Sequence, residues 1–430
     1  MHHLILGAGP AGVIAVETIR KHAPADRITL VGDEPEPPYS RMAIPYLLVG
    51  NIQEEGTYLR KRVDHFAALR IDRVSGKASK LDAQGRTVTL EDGQKLAFDR
   101  LLIATGSHPV RPPIPGLDLP GVETCWTLAD ARAIAARAQP GARVLQMGAG
   151  FIGCIIMEAL KQRGVDLSVV EMGDRMVPRM MGPAAGHMIR RWCEAQGVHV
   201  FTGRKVEAIE PGAGDALRVR LSGGDVLEAD LVISAVGVRP AVGFLQDSGV
   251  TTLLGVLTDA QMQTNVPGIY AAGDCAEAFD PFSGKTIVSA IQPNAADQAR
   301  VAALGMVGKP TTLKVVTQIN VLDTLGLIST SFGNWQGMPG SEQVELTDED
   351  DHRHLSLQFK DDVLVGCNTV GMTEHVGVMR GLVEGQVPLG PWKDRLLEDP
   401  TRLMEAYLAS AQGQGHWSGA ADERRRWGKF

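Results

Sequence analysis

A glycine triplet near the N-terminus constrains the fold of this chain more than any other feature. The apolar stretch His3–Leu6 predicts a strand, which runs directly into Gly7, Gly9 and Gly12 at G-x-G-x-x-G spacing and then into an apolar-periodic helix over residues 13–22. In such a turn the first glycine permits the bend, the second lets the backbone approach a pyrophosphate, and the third lets the helix pack on the strand. The N–H groups at the start of the helix attract the anion. A triplet alone is often only a turn, but its strand and helix favour a phosphate cradle.

An acidic residue follows the next predicted strand, as a dinucleotide site requires. Arg27–Val31 predicts this strand, and Asp33 and Glu34 follow it, about 20 residues beyond the last glycine. An acid at this point can hydrogen-bond the ribose hydroxyls of the adenosine half.

The same module occurs a second time. Ala142–Met147 predicts a strand, Gly148, Gly150 and Gly153 repeat the glycine spacing, and a further predicted strand ends at Glu171. One chain is therefore expected to bind two dinucleotides.

Glu171 bears on the choice of nicotinamide coenzyme. It is followed by Met172 and Gly173, without an adjacent arginine or lysine. A 2′-phosphate would meet a negative charge there, so NADH is expected to be preferred to NADPH. Arg175 leaves the opposite choice open, because its guanidinium could turn towards a phosphate.

Composition argues against several classes of function. The 430 residues are 44% hydrophobic and 22% charged, which is typical of a globular protein of two or three domains. A net charge of -7 without a basic stripe argues against nucleic acid as a partner. No apolar run reaches the 18 or so residues of a membrane span, and the N-terminus enters a core strand without a signal peptide. The predicted location is the cytoplasm.

The cysteine pattern bears on redox chemistry. No two cysteines have C-x-x-C or closer spacing, so an iron–sulfur cluster, a zinc site or a dithiol of near neighbours within this chain is not expected, and no metal ligand is predicted. Each cysteine is interpreted as a small buried hydrophobe, although two that are distant in sequence could meet in the fold. The five are Cys125, Cys154, Cys193, Cys275 and Cys367.

Three further motifs follow predicted strands. They are Thr105-Gly106, the Gly-Val-Arg-Pro stretch at 237–240, and Gly273-Asp274. The acid of the last motif is placed either to bind a polyol hydroxyl or to cap a helix.

Two other stretches are ambiguous on their own. Tyr39, Ser40 and Arg41 belong either to a surface loop or to a wrap around the dinucleotide, in which Arg41 would meet a phosphate or an adenine face. A helix that begins at residues 293–296 could direct its positive end to a bound ligand. Residues 71–95 alternate apolar and polar side chains around three turns, which predicts a small antiparallel insert.

The pattern becomes β-rich from about Lys309. Strands are predicted over Lys314–Asn320, Leu355–Lys360 and Val363–Asn368, and the last two form a hairpin. The acidic run Asp348–His354 contains two histidines and is interpreted as a solvated loop rather than a metal site.

The last stretch, residues 386–430, differs from the rest. It carries Trp392, Trp417, Trp427 and a basic triplet at 424–426. A disordered tail seldom has three tryptophans, and Trp and Arg are favoured interface anchors. The tail is predicted to pack on another surface, of this chain or of a partner.

With these motifs in this order, the chain resembles the two-dinucleotide flavoproteins. That family includes glutathione reductase, rubredoxin and ferredoxin reductases, and the N-terminal part of NADH nitrite reductase. The stretches PPYSR and INVLDTLGL are most similar to the rubredoxin reductase and nitrite reductase branch. The resemblance covers residues 1 to about 385.

The resemblance implies an α/β fold with two Rossmann-like domains, one for FAD and one for NAD, and a C-terminal α+β interface domain. The implied bounds are 1–115 with 240–308 for the FAD domain, 116–239 for the NAD domain, 309–385 for the interface domain, and 386–430 for a partner-docking tail.

The resemblance also implies which residues surround each cofactor. FAD is expected at Gly7, Gly9, Pro10, Ala11, Gly12, Asp33, Glu34, Arg41, Ala78, Thr105, Gly106, Gly273, Asp274 and Ala296. NAD(H) is expected at Gly148, Gly150, Phe151, Ile152, Gly153, Glu171 and Gly237. Hydride transfer between the two needs no acid or base from the protein, so no catalytic side chain is predicted.

The chain departs from the family at two points. The segment Arg41–Pro45 has no cysteine where the disulfide-reducing branches carry one or two, so disulfide substrates are disfavoured. Ile155 stands where most members carry a glutamate that helps to hold the nicotinamide, which leaves the pose of NAD open.

The predicted function is that of an FAD-dependent NAD(H) oxidoreductase that relays electrons to or from an iron–sulfur partner, within a homo- or hetero-oligomer. In size and plan the chain resembles the FAD subunits of NAD-linked aldehyde oxidoreductase and phenylglyoxylate dehydrogenase complexes. Two alternatives are a freestanding NADH oxidase or ferredoxin or rubredoxin reductase, and a flavin-bearing redox-sensing or assembly protein.

Overall fold

The computed structural model describes residues 1–280, 284–313 and 319–413. The chain divides into two compact units, and each draws on separate stretches of sequence. The first takes the described residues of Met1–Ala142, Gln162–Gly164 and Ile233–Val316, and the second takes those of Arg143–Lys161, Val165–Val232 and Thr317–Phe430. The predicted domain bounds stay a prediction.

A five-stranded parallel sheet forms the core of the first unit. Its strands, in spatial order, are Ile269–Ala271, Arg100–Ile103, His2–Leu6, Arg27–Gly32 and Ile71–Ser75. The central strand His2–Leu6 is apolar because both faces of the sheet are covered there: Leu4, Ile5 and Leu6 are at most 1% exposed. Helices Pro10–His22 and Gln292–Met306 pack against each other in this unit.

Smaller elements complete the first unit. An antiparallel sheet has strands Ala78–Asp82, Thr87–Leu90 and Lys95–Ala97. In a small mixed sheet Ala276–Asp280 pairs parallel with Val256–Leu257 and antiparallel with Lys285–Ile287, and elsewhere Ser107–Pro109 pairs with Val238–Pro240. The remaining elements are strand Val122–Glu123, helices Ile44–Val49, His65–Ala68 and Leu128–Arg137, and 3-10 turns Arg41–Ala43, Glu54–Thr57 and Gly243–Leu245.

The predicted insert at 71–95 is confirmed only in part. Ile71–Ser75 pairs parallel with Arg27–Gly32 and so extends the main sheet, and the antiparallel insert begins at Ala78. The polar residues in Ile71–Ser75 suggested an antiparallel strand, but they occur here because this strand lies at the edge of the parallel sheet, where its side chains are largely exposed.

The second unit begins with another parallel sheet. Its parallel strands lie in the order His199–Thr202, Asp166–Glu171 and Arg143–Met147, and the strand Leu231–Ser234, whose first two residues belong to this unit, is the next neighbour of Arg143–Met147. Along the chain, the helix Phe151–Gln162 follows the strand Arg143–Met147, and the helix Pro183–Ala195 follows the strand Asp166–Glu171. A separate three-stranded antiparallel sheet has strands Val206–Pro211, Leu217–Leu221 and Val226–Ala229. The predicted α/β class with two parallel sheets is confirmed.

A five-stranded antiparallel sheet forms the C-terminal part of the second unit. Its strands lie in the order Ile319–Thr324, Leu327–Gly333, Val363–Val370, Arg353–Lys360 and Glu342–Asp348. The predicted hairpin is confirmed, and Asp361 in its turn has a φ of +54°. Residues 314–318 of the first predicted strand lie outside the described residues.

The acidic run 348–354 is a turn flanked by strands rather than a loop throughout. Its His354 lies on the strand Arg353–Lys360, is 1% exposed, and its Nδ1 is 2.8 Å from the Thr347 hydroxyl. Among the described residues, no group of three or more His, Cys, Asp or Glu side chains is arranged to hold a metal ion.

Three helices follow this sheet: Val376–Gly385 packs on the strands Leu327–Gly333 and Val363–Val370, Trp392–Glu398 packs on Glu342–Asp348, and Leu403–Gly413 packs on the other two helices. The described part of the tail therefore packs on its own unit, where Leu396 and Ala406 are fully buried and the guanidinium groups of Arg395 and Arg402 lie 4.6 and 5.3 Å from the centre of the Trp392 ring. Trp417, Trp427 and the basic triplet lie outside the described residues, so docking of the tail on a partner stays a prediction. No helix in the described ranges has both the length and the apolar character needed to span a bilayer.

Candidate functional site

The first cradle lies where the strand His2–Leu6 meets the helix Pro10–His22. Gly7 has a φ of +110°, and a Cβ there would lie 2.0 Å from Ala104 O. A Cβ on Gly12 would lie 1.9 Å from Gly7 O, so the chain's own packing requires both glycines. Gly9 differs, because a Cβ there would meet nothing within 4 Å. That open face is what close approach of a pyrophosphate needs, so the residues present fit a dinucleotide.

The second cradle repeats this geometry. Gly148 has a φ of +93°, and its N–H donates to Val170 O at 2.8 Å, as Gly7 N–H donates to Val31 O. A Cβ on Gly153 would lie 2.5 Å from Gly148 O, whereas one on Gly150 would meet nothing within 4 Å.

Both acids that follow the second strands are half-buried and already hydrogen-bonded. In the first unit Glu34 Oε2 accepts from the Tyr39 hydroxyl at 2.5 Å and Oε1 accepts from Arg41 Nη2 at 2.6 Å. Burial, with Glu34 adding to it, raises the pKa of Tyr39, so this phenol is a neutral donor at ordinary pH. Asp33 beside it is exposed.

Arg41 is bound to protein groups rather than directed into open space. Besides Glu34, its Nη1 donates to Trp126 O at 2.7 Å and to the Tyr39 hydroxyl at 2.8 Å, and its guanidinium lies 5.2 Å from the centre of the Trp126 ring. The expected role of Arg41 at a phosphate or adenine face stays a prediction. Trp126, which sequence reasoning missed, lies 85 residues away.

Glu171 of the second unit is held by backbone amides. Its Oε2 accepts from Ala149 N–H at 2.8 Å and its Oε1 from Gly173 N–H at 2.7 Å. Arg175 donates to Met181 O at 2.9 Å and to the Asp174 carboxylate at 2.7 Å, so its guanidinium is bound within its own loop.

Asp274 follows a short strand of the main sheet, and it caps no helix. It lies between the strands Ile269–Ala271 and Ala276–Asp280, and its Oδ2 accepts from the Ser107 hydroxyl at 2.8 Å. Burial raises the pKa of the Asp274 carboxyl, and the Ser107 hydrogen bond opposes that shift. The helix-cap alternative is therefore wrong.

Several predicted cofactor residues of the first unit meet at the carboxyl ends of its parallel strands, where ligands bind in such sheets. A Cβ on Gly273 would lie 3.4 Å from Ala11 Cβ and 3.6 Å from Ala295 Cβ, so the Gly273-Asp274 turn adjoins the starts of both packed helices. Ala296 is half-buried and is the fifth residue of the helix Gln292–Met306. Thr105 is anchored through its hydroxyl to Ala241 O at 2.8 Å, and Gly106 has a φ of +68°.

Sequence reasoning also missed two polar residues that position this region. Gln298 is 1% exposed and its Oε1 accepts from Gly273 N–H at 2.8 Å. Gln292 Oε1 accepts from the Ser40 hydroxyl at 2.7 Å. Both lie on the helix Gln292–Met306, and its predicted start at 293–296 was the one signal that pointed to them.

The other predicted residues lie as follows. Pro10 is the first residue of the helix Pro10–His22, and Ala78 is half-buried at the start of the antiparallel insert. Phe151 and Ile152 are half-buried at the start of the helix Phe151–Gln162, as is Ile155 one turn later. Gly237, expected near NAD(H), belongs to the first unit, where its carbonyl accepts from Val110 N–H at 2.9 Å.

The thiols are not poised as nucleophiles. All five cysteines are free, and four are fully buried. Burial raises the pKa of Cys193 to about 12 and raises that of Cys154 as well. Because the thiolate is the reactive form, these thiols are inert at ordinary pH.

Comparison with known proteins gives one family and close relatives. The family model described as pyridine nucleotide-disulphide oxidoreductase matches residues 1–302. The NADH-dependent phenylglyoxylate dehydrogenase subunit epsilon of Aromatoleum evansii is 32% identical over 402 residues, which cover 93% of this chain and 95% of the relative. The ferredoxin--NAD(+) reductase component of the biphenyl dioxygenase system of Paraburkholderia xenovorans is 32% identical over 384 residues, 89% of this chain and 93% of the relative.

Among solved structures, a chain of the covalent putidaredoxin reductase-putidaredoxin complex superposes with a TM-score of 0.86. The match covers 95% of this chain and 98% of that chain at 24% identity. At this identity the likeness establishes the fold.

Proposed function

The chain belongs to the pyridine nucleotide-disulphide oxidoreductase family, and from that premise we propose that it is the FAD-bearing subunit of a larger redox complex, which relays electrons between NAD(H) and an iron–sulfur partner. It is an FAD-dependent NAD(H) oxidoreductase. The observation that carries the proposal is the pair of cradles, each with a middle glycine that faces open space and a third glycine at which a Cβ would collide with the carbonyl oxygen of the first.

The first unit would hold FAD. The N–H groups at the start of the helix Pro10–His22 would face the pyrophosphate, and Glu34 would accept from the adenosine ribose with the lone pairs that Tyr39 and Arg41 leave free. Asp274 would accept from the polyol chain. When bound, FAD would accept a hydride and release electrons one at a time. The protein's part is to bind, orient and exclude water.

The second unit would hold NADH in preference to NADPH. Glu171 is fixed by two backbone amides, and a 2′-phosphate would approach this negative charge. Arg175, which could have compensated, is bound to Met181 O and Asp174 within its own loop. We propose that Ile155 leaves the nicotinamide to be placed by packing rather than by a carboxylate.

The partner is proposed from the relatives and from the cysteine pattern. One relative is named as a subunit of an NADH-dependent dehydrogenase, and the other as the ferredoxin--NAD(+) reductase component of a dioxygenase system. Because no two cysteines of this sequence have C-x-x-C or closer spacing, we place the iron–sulfur centre on another polypeptide. We place the protein in the cytoplasm, where NADH is available.

The test is affinity purification from the native source with a tag at the N-terminus, followed by mass spectrometry and by assays of iron and flavin. We expect an iron–sulfur subunit to co-purify and NADH to bleach the flavin absorbance of the complex. Recovery of a yellow, iron-free protein that turns over NADH with oxygen or a small carrier alone would favour the freestanding reductase instead.

Ile155 supports a third candidate function. If the nicotinamide is held differently at this site, NADH could act as a ligand of a flavin-bearing redox-sensing or assembly protein. Nanomolar affinity for NADH with negligible turnover to any acceptor would favour that function.

A further inference from the structure

The peptide groups around Ala149 are held from two sides. Ala149 lies between Gly148 and Gly150, in the turn of the second cradle. Its N–H donates to Glu171 Oε2 at 2.8 Å, and its carbonyl accepts from Val177 N–H at 2.9 Å. These two bonds fix the turn by which the cradle would meet its ligand.

Val177 has a backbone conformation that its own side chain disfavours. Its φ is +49°, in the left-handed region, where a β-branched residue is an outlier. Its side chain is 1% exposed, and its carbonyl accepts from Met180 N–H and Met181 N–H at 2.9 and 3.0 Å. A strained residue keeps such a conformation only where its surroundings impose it, so any further attachment of the loop 176–182 beyond these bonds and the Arg175–Met181 bond bears on the position of Val177.

Asn368 attaches this loop to the C-terminal sheet. It lies on the strand Val363–Val370 of the C-terminal sheet and is 2% exposed. Its Nδ2 donates to Met180 O at 3.0 Å, and its Oδ1 accepts from Gly182 N–H at 3.0 Å. One planar amide therefore binds the backbone on both sides of Met181 and sets the direction of the loop as well as its distance from the sheet.

We propose that Asn368 is a positioning residue for the nicotinamide dinucleotide. It holds the loop 176–182 to the C-terminal sheet, the loop presents Val177 N–H to Ala149 O, and the cradle takes its shape from that contact. The inference rests on the proposed function, in which this cradle binds NADH. It gives the C-terminal sheet a part in binding the coenzyme.

The test compares N368A and N368D with T369V in the full-length, FAD-loaded protein. Thr369 follows Asn368 on the same strand, is fully buried, and its hydroxyl lies 2.7 Å from that of Thr330. T369V therefore removes a buried hydrogen bond of the same sheet and leaves the loop 176–182 untouched. Oxidation of NADH with ferricyanide as the acceptor gives kcat and KM, and thermal unfolding reports on the fold.

We expect N368A and N368D each to raise the KM for NADH about ten-fold and to leave kcat within about two-fold. T369V should lower the melting temperature without changing this KM. The KM of N368D should fall towards the wild-type value as the pH is lowered, because a protonated carboxylic acid can again donate to Met180 O.

An unchanged KM in N368A and N368D, or an equal rise in T369V, would overturn the inference, since Asn368 would then have no more than a structural role. A wild-type protein that neither binds nor oxidises NADH would overturn the proposed function itself. The two failures are distinguishable because the second is seen before any substitution is made.

Discussion

Gly9 and Gly12 belong to one turn, but glycine is needed at position 9 for ligand binding and at position 12 for packing. Alanine substitutions should therefore affect cofactor binding and stability differently. Gly9 has φ -77° and ψ -172° and space for a Cβ, so G9A should leave the melting temperature of the FAD-free protein nearly unchanged while FAD binding falls at least about ten-fold. G12A brings a Cβ to 1.9 Å from Gly7 O and should lower the free energy of unfolding by about 3 kcal/mol or more. Thermal unfolding and flavin content measure both. Equal loss of stability in the two variants would contradict this account.

Glu171 is expected to set the choice of coenzyme. E171A removes the charge that a 2′-phosphate would meet, so the ratio of kcat/KM for NADH to that for NADPH should fall about 10- to 100-fold. The matched control is R175A, since the Arg175 guanidinium is bound to Met181 O and Asp174. A loss of NADH preference in R175A as large as in E171A would show that Arg175 takes part in the choice.

The helix Leu128–Arg137 is stabilised by hydrogen bonds at its N-terminal cap. The Thr127 hydroxyl accepts from Asp130 N–H at 3.1 Å, and Asp130 Oδ2 accepts from Thr127 N–H, Trp126 N–H and the Thr124 hydroxyl at 3.0, 2.9 and 2.7 Å. T127A should cost about 1 kcal/mol of unfolding free energy, and D130A about 2 to 3 kcal/mol because three donors lose their acceptor. Urea unfolding measures both, and a smaller cost for D130A than for T127A would be inconsistent with this network.

The first strand carries a buried titratable group that makes stability depend on pH. His3 is fully buried, with Nε2 2.8 Å from Asp26 Oδ2. Burial lowers the pKa of His3 below its usual 6.5, although Asp26 opposes the shift. At a pH below about 6.5 the unfolded chain binds a proton at His3 more readily than the folded chain does. The free energy of unfolding therefore decreases as the pH falls through this range.

Denaturant unfolding should therefore give a lower free energy at about pH 5 than at about pH 7.5, and H3Q should reduce the difference. Part of the dependence should remain in H3Q, because burial lowers the pKa of His354 in the same direction. A free energy that rises as the pH falls over this range would contradict the assignment.

At the scale of the whole molecule, the sequence is most informative where the required contacts are local. The glycine spacing, the strand before it and the helix after it lie within about twenty residues, so periodicity and turn chemistry predict both cradles. The acids Glu34 and Glu171 follow from the same short unit. The wrong assignment of Ile71–Ser75 to the insert arose because strand pairing is not a local property.

The contacts that refine each site join distant parts of the chain. Trp126 meets Arg41, Ser107 meets Asp274, and Asn368 meets Gly182 across 186 residues of sequence. Nothing in the local pattern around Asn368 distinguishes it from any other polar residue in a β-strand. Only the tertiary fold reveals which backbone groups its amide satisfies.

The central claim is that one chain binds two dinucleotides in separate cradles and passes hydride between them. The most direct test is anaerobic titration with NADH of the FAD-loaded wild-type protein and of G150A, followed by the flavin absorbance. We expect NADH to bleach the wild type, whereas G150A retains FAD and is bleached by dithionite but not by the same concentration of NADH, since its added Cβ occupies the open face of the second cradle. Bleaching of G150A by NADH at the wild-type rate and concentration would contradict the claim.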